Sequence, residues 1–247
     1  MKLSNPVFDR NLIASAAAPE VNRSVPVWKR RLDLFVLLLI SPLIAPLMLV
    51  IAALIKLSSP GPAIFRQTRV GLRGHPFVCY KFRSMRLGAD TGVHQMHVES
   101  LMRSGAPMTK LDSQEDDRLI RGGGILRSTG LDELPQVYNI FRGEMSLVGP
   151  RPCLPFEFDK YSDHSRQRFG TVPGVTGLWQ VNGKNRTTFD EMIAYDLQYL
   201  RQQSPGLDLW IMVRTIPVLL QQAADIIQAK VRRFLRSVRR SVRGPAY

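Results

Sequence analysis

Hydrophobic and polar positions divide the chain into four stretches. Residues 1–27 carry no surviving apolar period, because Pro6, Pro19 and Pro26 interrupt the small Ala14–Ala18 run, and they read as a mobile tail. Leu34 to Ile55 is a run of 22 residues without a charge. As a helix it spans about 33 Å, enough to cross a bilayer. Residues 58–206 alternate short apolar segments with turn clusters such as Ser58-Ser59-Pro60-Gly61-Pro62 and predict a small α/β or α+β domain. Within it, Phe77–Phe82 predicts a strand. A helix is expected to start around Asp132 and run through Phe141. A second covers Phe189–Gln203 and is closed by Pro205-Gly206. Leu87–Asp117 is polar and reads as an irregular surface insertion. From Leu207 the period is helical again, with Leu209, Trp210, Met212, Val213, Ile216, Val218, Leu219 and Leu220 forming an apolar stripe.

The long apolar run holds Ser41-Pro42 and Pro46. Proline lacks the N–H that an intrahelical carbonyl needs, so a kink near Pro42 is expected, with the Ser41 hydroxyl as a partner for a freed carbonyl. Charge refines the picture. Lys29, Arg30 and Arg31 precede the run, and Lys56, Arg66, Arg69 and Arg73 follow it. A straight span would place one positive cluster outside, against the positive-inside tendency. A re-entrant helix over 28–57, bent at Ser41-Pro42, keeps both clusters on one face and is favoured over a single span or a buried soluble helix. The basic residues arrive too late for a secretory leader.

The net charge is +14, from 34 basic and 20 acidic side chains, and implies an anionic partner. Seven of the basic residues lie between Lys230 and Tyr247, where Phe234, Leu235 and Val238 alternate with arginines. Residues 207–247 therefore read as an amphipathic helix with a basic tail, suited to an anionic membrane surface. A core-packed helix with a solvated basic end is the plainer alternative. Cys79 and Cys153 fit no metal spacing and read as reduced thiols.

The densest chemistry lies in Ile125–Gln136. Asp132 and Glu133 are adjacent acids with Arg127 nearby, and Thr129 with Asp132 fits a capping box. Acids at a helix start also serve the helix dipole alone. A carboxylate so placed can attack phosphorus, but it repels a diphosphate, and Mg²⁺ held by Asp132 and Glu133 would bring the two together. Lys81 and Arg83 share one side of the predicted strand. Arg151 stands in the stiff Gly149-Pro150-Arg151-Pro152 loop, and Pro173–Arg186 is rich in glycine, amides and bases. Each piece alone is usually structural; their convergence beside a membrane segment is the informative feature. His94 and His97 lack a third ligand and read as loop residues, and Trp179 as a packing residue.

Ordered motifs from Trp28 to Pro217 closely resemble the bacterial sugar transferase family, the monotopic phosphoglycosyl transferases. They are Lys29-Arg30-Arg31-Leu32-Asp33, Ser41-Pro42, Ser59-Pro60-Gly61-Pro62, Phe65-Arg66-Gln67, Arg69-Val70-Gly71, Lys81–Met85, Leu131–Gln136, Met145–Pro152 and Pro173–Val181. The resemblance implies transfer of a hexose 1-phosphate from a UDP-sugar, of the glucose or galactose type, to polyprenyl (undecaprenyl) phosphate. Asp132 would form an aspartyl phosphosugar with release of UMP, and Glu133 would assist through Mg²⁺ or proton handling. It further implies phosphate-site roles for Lys81, Arg83, Arg127 and Arg151 and a substrate region lined by Gln180, Asn182 and Arg186. Ser41 and Pro42 would be the helix-breaking pair, and the domain would face the cytoplasm from the bacterial inner membrane. Homo-oligomerisation is left open, as are the carried sugar and the glycan pathway. The segment between Arg86 and Asp116 and the basic extension after Gln228 depart from the family pattern. Two rival readings are a membrane-tethered basic module for acidic lipid or nucleic acid, and a glycosyl transferase moving the bare sugar. The dispersal of bases among rigid turns argues against nucleic acid.

Overall fold

A computed structural model describes residues 25–89, 92–108, 118–183 and 186–242. Most of the expected N-terminal tail lies outside them, as do the side chains of the basic C-terminal run. The molecule is α+β. One long apolar helix, α1 (Val27–Ser58), leads into a domain of short helices around two small sheets.

α1 is anchored toward its two ends. Near its start, Lys29 is fully buried and donates to Val148 O (2.7 Å), Tyr199 OH (2.8 Å) and Asp208 Oδ2 (2.6 Å). One turn on, Asp33 accepts from Ser146 Oγ (2.9 Å) and Leu147 N (3.0 Å), while Arg30 donates to Ile140 O and Phe141 O. Near the other end, Ile51 and Ile55 pack into a cluster with Phe82 and Ile120. Between these anchors Phe35, Leu38, Leu39, Leu43, Leu49 and Val50 are exposed, and only 6% of the most apolar stretch is buried. A core helix of a soluble domain buries its apolar surface, whereas α1 leaves most of its own open and is long and apolar enough to cross a membrane. Pro42 has no N–H to give Leu38 O, and Ser41 Oγ donates to that carbonyl at 2.9 Å, as the sequence anticipates.

β1 (Ile64–Val70) and β2 (Pro76–Phe82) form an antiparallel hairpin with Ile64 opposite Phe82 and Val70 opposite Pro76. The free side of β2 is covered by a side chain. Asn139, fully buried on α4 (Gln136–Arg142), donates Nδ2 to Val78 O (2.6 Å) and accepts from Tyr80 N (3.1 Å). It thus does for this edge what a third strand would do. β3 (Ser146–Val148) and β4 (Gly174–Thr176) pair in parallel. The backbone at Gly149, just past β3, approaches β4 and its exit so closely that a Cβ at Gly174 would collide with Gly149 N, and one at Gly177 with Gly149 O.

Three further expectations are corrected. The segment read as irregular contains a helix, α2 (Gly92–Ser104), because Val98, Leu101 and Met102 form a sparse stripe whose Met102 packs on the main core cluster. No helix starts at Asp132. α3 (Gly123–Thr129) ends at Gly130, whose φ of 75° is left-handed; a 3₁₀ turn, Leu131–Glu133, follows, and α4 begins only after Pro135. The Thr129 hydroxyl donates back to Ile125 O (2.7 Å) inside α3, so the expected capping box is absent there. A capping box does exist at Thr188 and Glu191, opening α8 (Phe189–Gln202).

α5 (Pro155–Asp159), α6 (Asp163–Arg166) and α7 (Leu178–Val181) are short connectors. α9 (Pro205–Val242) starts at Pro205 rather than being preceded by a stop there, since proline's fixed φ suits a first helical turn. Its apolar stripe splits. Leu207, Trp210 and Ile211 pack with Leu178 and Tyr199, while Leu209, Val213, Ile216 and Leu220 are exposed along the opposite flank.

The Lys29–Asp208 pair is dehydrated on both sides, with side-chain exposures of 0% and 1%. Removing one partner strands the other charge, so Lys29→Met is expected to cost about 3–5 kcal/mol. In Asp208→Asn on the Lys29→Met background part of that loss returns. Thermal unfolding of the micelle-solubilised protein measures both, and an unchanged midpoint in Lys29→Met would contradict the assignment.

Candidate active site

The two candidate acids sit on a pinched turn rather than on a helix. Gly130 reverses the chain, Leu131–Glu133 make one 3₁₀ turn with Glu133 N bonded to Gly130 O (3.0 Å), and Pro135 opens α4. Leu131 and Leu134, flanking the acids, pack against the cluster that holds Ile51 and Ile55 of α1. The C-terminal end of α1 therefore supports the turn. Asp132 and Glu133 are half-buried.

β2 supplies a cation to this turn. Phe82 points into the core, so Lys81 points the other way, and its Nζ lies 2.8 Å from Glu133 Oε1. Arg83 does not join it. That guanidinium is buried and donates to Pro60 O (2.5 Å) and Ser59 O (2.9 Å), clasping the exit from α1. Arg127, in the last turn of α3, donates to Met85 Sδ at 3.4 Å.

Arg151 stands in the loop after β3. Its Nη1 lies 3.5 Å from Glu157 Oε2, and its side chain is a quarter exposed. Arg69 links the two halves. It is buried on β1, donates to Pro152 O (3.2 Å) and Gln67 Oε1 (2.8 Å), and leaves its Nε without a hydrogen bond. Burial pulls its pKa down, the Arg151 charge adds to this, and Glu157 and Glu133 oppose it. The buried Cys79 thiol is pushed up by burial and feels Lys81, Arg69, Glu133 and Arg151 together. The charges of Glu133, Lys81, Arg69 and Arg151 thus all bear on Cys79.

The glycine-rich segment is held mainly by its own backbone. Gln180 Nε2 donates to Val175 O (3.3 Å), and its Oε1 is buried without a hydrogen-bond partner. Asn182 donates to Leu178 O (2.9 Å), and Arg186 is exposed, with its amide on Gly183 O (2.7 Å). Lys184 and Asn185 lie outside the described residues. Trp179 is buried in the main core cluster, as a packing residue. Cys79 and Cys153 are free and buried, and burial, reinforced by Glu157, pushes the Cys153 thiol up to about 12, so it is inert.

Residues 24–222 match the family described as bacterial sugar transferase. The chain belongs to that family. Similar proteins include the galactosyl transferase CpsE of Streptococcus agalactiae, 42% identical over 161 residues, which are 65% of this chain and 35% of that protein. The UDP-glucose:undecaprenyl-phosphate glucose-1-phosphate transferase of Caulobacter vibrioides is 42% identical over 205 residues, 80% of this chain and 71% of that one. The exopolysaccharide production protein ExoY of Sinorhizobium fredii is 35% identical over 193 residues, 78% and 85% of the two chains. This sugar transferase thus spans about a third of the streptococcal protein's length and most of the other two.

Of the residues singled out in the sequence, the structure joins Glu133 and Lys81, and it pairs Arg151 with Glu157, a residue no local pattern marks. Among the described residues no group of three or more His, Cys, Asp or Glu gathers as a metal cage, and this includes His97 on α2; the side chain of His94 lies outside them.

Proposed function

We propose that this sugar transferase moves a hexose 1-phosphate, of the glucose or galactose type, from a UDP-sugar onto undecaprenyl phosphate, as a first membrane step of exopolysaccharide or related glycan synthesis. The observation that carries the reading is the Asp132–Glu133 turn, seated on the end of an apolar, membrane-suited helix with Lys81 on Glu133. The substrates named in its relatives agree with it.

In the first step an Asp132 carboxylate oxygen attacks the sugar-linked phosphorus. The bond from that phosphorus to the bridging oxygen breaks, UMP leaves with the electron pair, and an aspartyl phosphosugar remains. In the second step an oxygen of the lipid phosphate attacks the same phosphorus. The aspartyl–phosphorus bond breaks, the carboxylate is restored, and the product is a polyprenyl diphosphate sugar. Carboxylate and diphosphate repel each other, and Lys81 and Arg151 lower that barrier as fixed cations. The two adjacent carboxylates suit Mg²⁺, which takes one or two carboxylates and completes its shell with phosphate and water oxygens. When bound by Asp132 and Glu133, Mg²⁺ would supply charge neutralisation to the reacting phosphate.

The membrane reading follows the same geometry. Both ends of α1 dock on one domain, which supports a re-entrant helix bent at Ser41-Pro42, with the domain on the cytoplasmic face of the inner membrane. The exposed Leu209, Val213, Ile216 and Leu220 of α9 would rest in the lipid interface, and the basic tail would meet anionic headgroups.

Asp132→Asn is expected to reduce UMP release by more than about 10³-fold with Mg²⁺ present. Full activity in that variant would remove the covalent route, and UDP in place of UMP as the wild-type product would indicate bare-sugar transfer. For topology, a cysteine at Val27 should resist a membrane-impermeant maleimide in intact cells. It should become reactive when Ser41 and Pro42 are both replaced by alanine; labelling before that replacement would establish a single span.

A further inference from the structure

Arg151 is held by a closed ring of contacts that the proposed chemistry does not itself require. Arg168 donates Nη2 to the backbone O of Arg151 (2.9 Å) and Nη1 to Tyr161 OH (2.9 Å). Tyr161 OH donates to Glu157 Oε2 (3.4 Å), and the same oxygen faces Arg151 Nη1 at 3.5 Å. The ring therefore returns to the residue it started from, gripping both its backbone and its side chain. Arg168 is in turn pinned by Asp196.

The ring is asymmetric. Arg168 and Asp196 are both buried, as a structural ion pair inside a domain should be, with exposures of 1% and 1%. Glu157 is also fully buried, but its cation is not: the Arg151 side chain keeps a quarter of its surface open. A buried carboxylate is costly unless a partner compensates it, and Glu157 Oε1 has no hydrogen bond at all. Structure alone would be better served by a fully enclosed partner. The backbone around Arg151 is fixed as well, since Pro150 O accepts from Gly174 N (2.9 Å) and Pro152 O from Arg69 Nη1 (3.2 Å). Pro152 O ties this loop to Arg69 of β1, whose partner strand β2 carries Lys81, and the charges of Arg151, Lys81 and Glu133 all bear on the buried Cys79 thiol of β2.

We propose that Glu157, braced by Tyr161 and Arg168, is a positioning residue that aims the Arg151 guanidinium at a phosphate oxygen of the donor; this rests on the phosphosugar-transfer reading above. Holding a long cation in one orientation before substrate arrives removes the entropy of ordering it later. Glu157 acts only through Arg151, and that restriction is measurable.

The test is a double-mutant cycle on kcat/KM for UMP release from a UDP-sugar by the full chain, with thermal midpoints followed in parallel. Glu157→Gln alone is expected to lower kcat/KM by about 10- to 100-fold, the scale of a misplaced positioning group. Arg151→Ala with and without Glu157→Gln should give the same rate within about twofold, because the second change has nothing left to aim. Tyr161→Phe, which keeps the ring packing, takes the place of Glu157→Gln in the cycle if that variant does not fold. Losses that multiply in the double variant, or an unchanged rate in the single one, overturn the positioning role while leaving phosphosugar transfer standing. Wild-type protein that releases no UMP overturns both.

Discussion

The buried ion pair between Lys29 and Asp208 is the contact on which the arrangement depends. The two residues stand 179 positions apart, and their contact joins the first turn of α1 to the first turn of α9. Tyr199 OH bonds to Asp208 Oδ1 (2.7 Å), and Val148 O accepts from Lys29, so α8 and β3 are tied into the same knot. Two charges without water stabilise a fold only when their remaining donors and acceptors are met, and here they are. Burial pushes the Tyr199 hydroxyl strongly upward, with Asp208 adding to it, so the tyrosine stays a neutral donor.

This knot lies one residue from the loop that carries Arg151, because Val148 precedes Gly149-Pro150-Arg151. The other end of α1 presses Ile51 and Ile55 under the turn that carries Asp132 and Glu133. A single apolar helix thus braces both halves of the site, one by polar contacts and one by packing. If the acceptor is the lipid-borne phosphate proposed above, that coupling would hold the Asp132 turn beside the helix end nearest it. Under the membrane reading proposed above, the apolar surface left open on α1 and α9 would be completed by lipid.

Local patterns were legible and long-range ones were not. β2 followed from the apolar run Phe77–Phe82, α8 from its period, and the Ser41 hydroxyl bond to Leu38 O from the chemistry of Pro42. Asp132 and Glu133 stood out by their setting. α2 was missed because its apolar stripe is sparse and the polar residues around it dominate the composition. The Asp132 turn was misread as a helix start because Gly130 and Pro135 act on the backbone, whereas the acids resemble ordinary first-turn residues. Arg83 and Lys81, two apart on one strand, were expected to converge, yet the strand ends at Phe82 and Arg83 turns back to the exit of α1. The Lys29–Asp208 pair and the ring around Arg151 join distant segments, and no sequence period encodes such contacts.

Covalent attachment at one carboxylate is the central claim, and peptide mapping after acid quench tests it most directly. Enzyme mixed with UDP-sugar and Mg²⁺, with the lipid acceptor withheld, is digested and its fragments are weighed. The account predicts a hexose phosphate on the fragment containing Asp132, lost when undecaprenyl phosphate is added before the quench. An unmodified Asp132 fragment alongside full turnover, or the adduct on another residue, would contradict it.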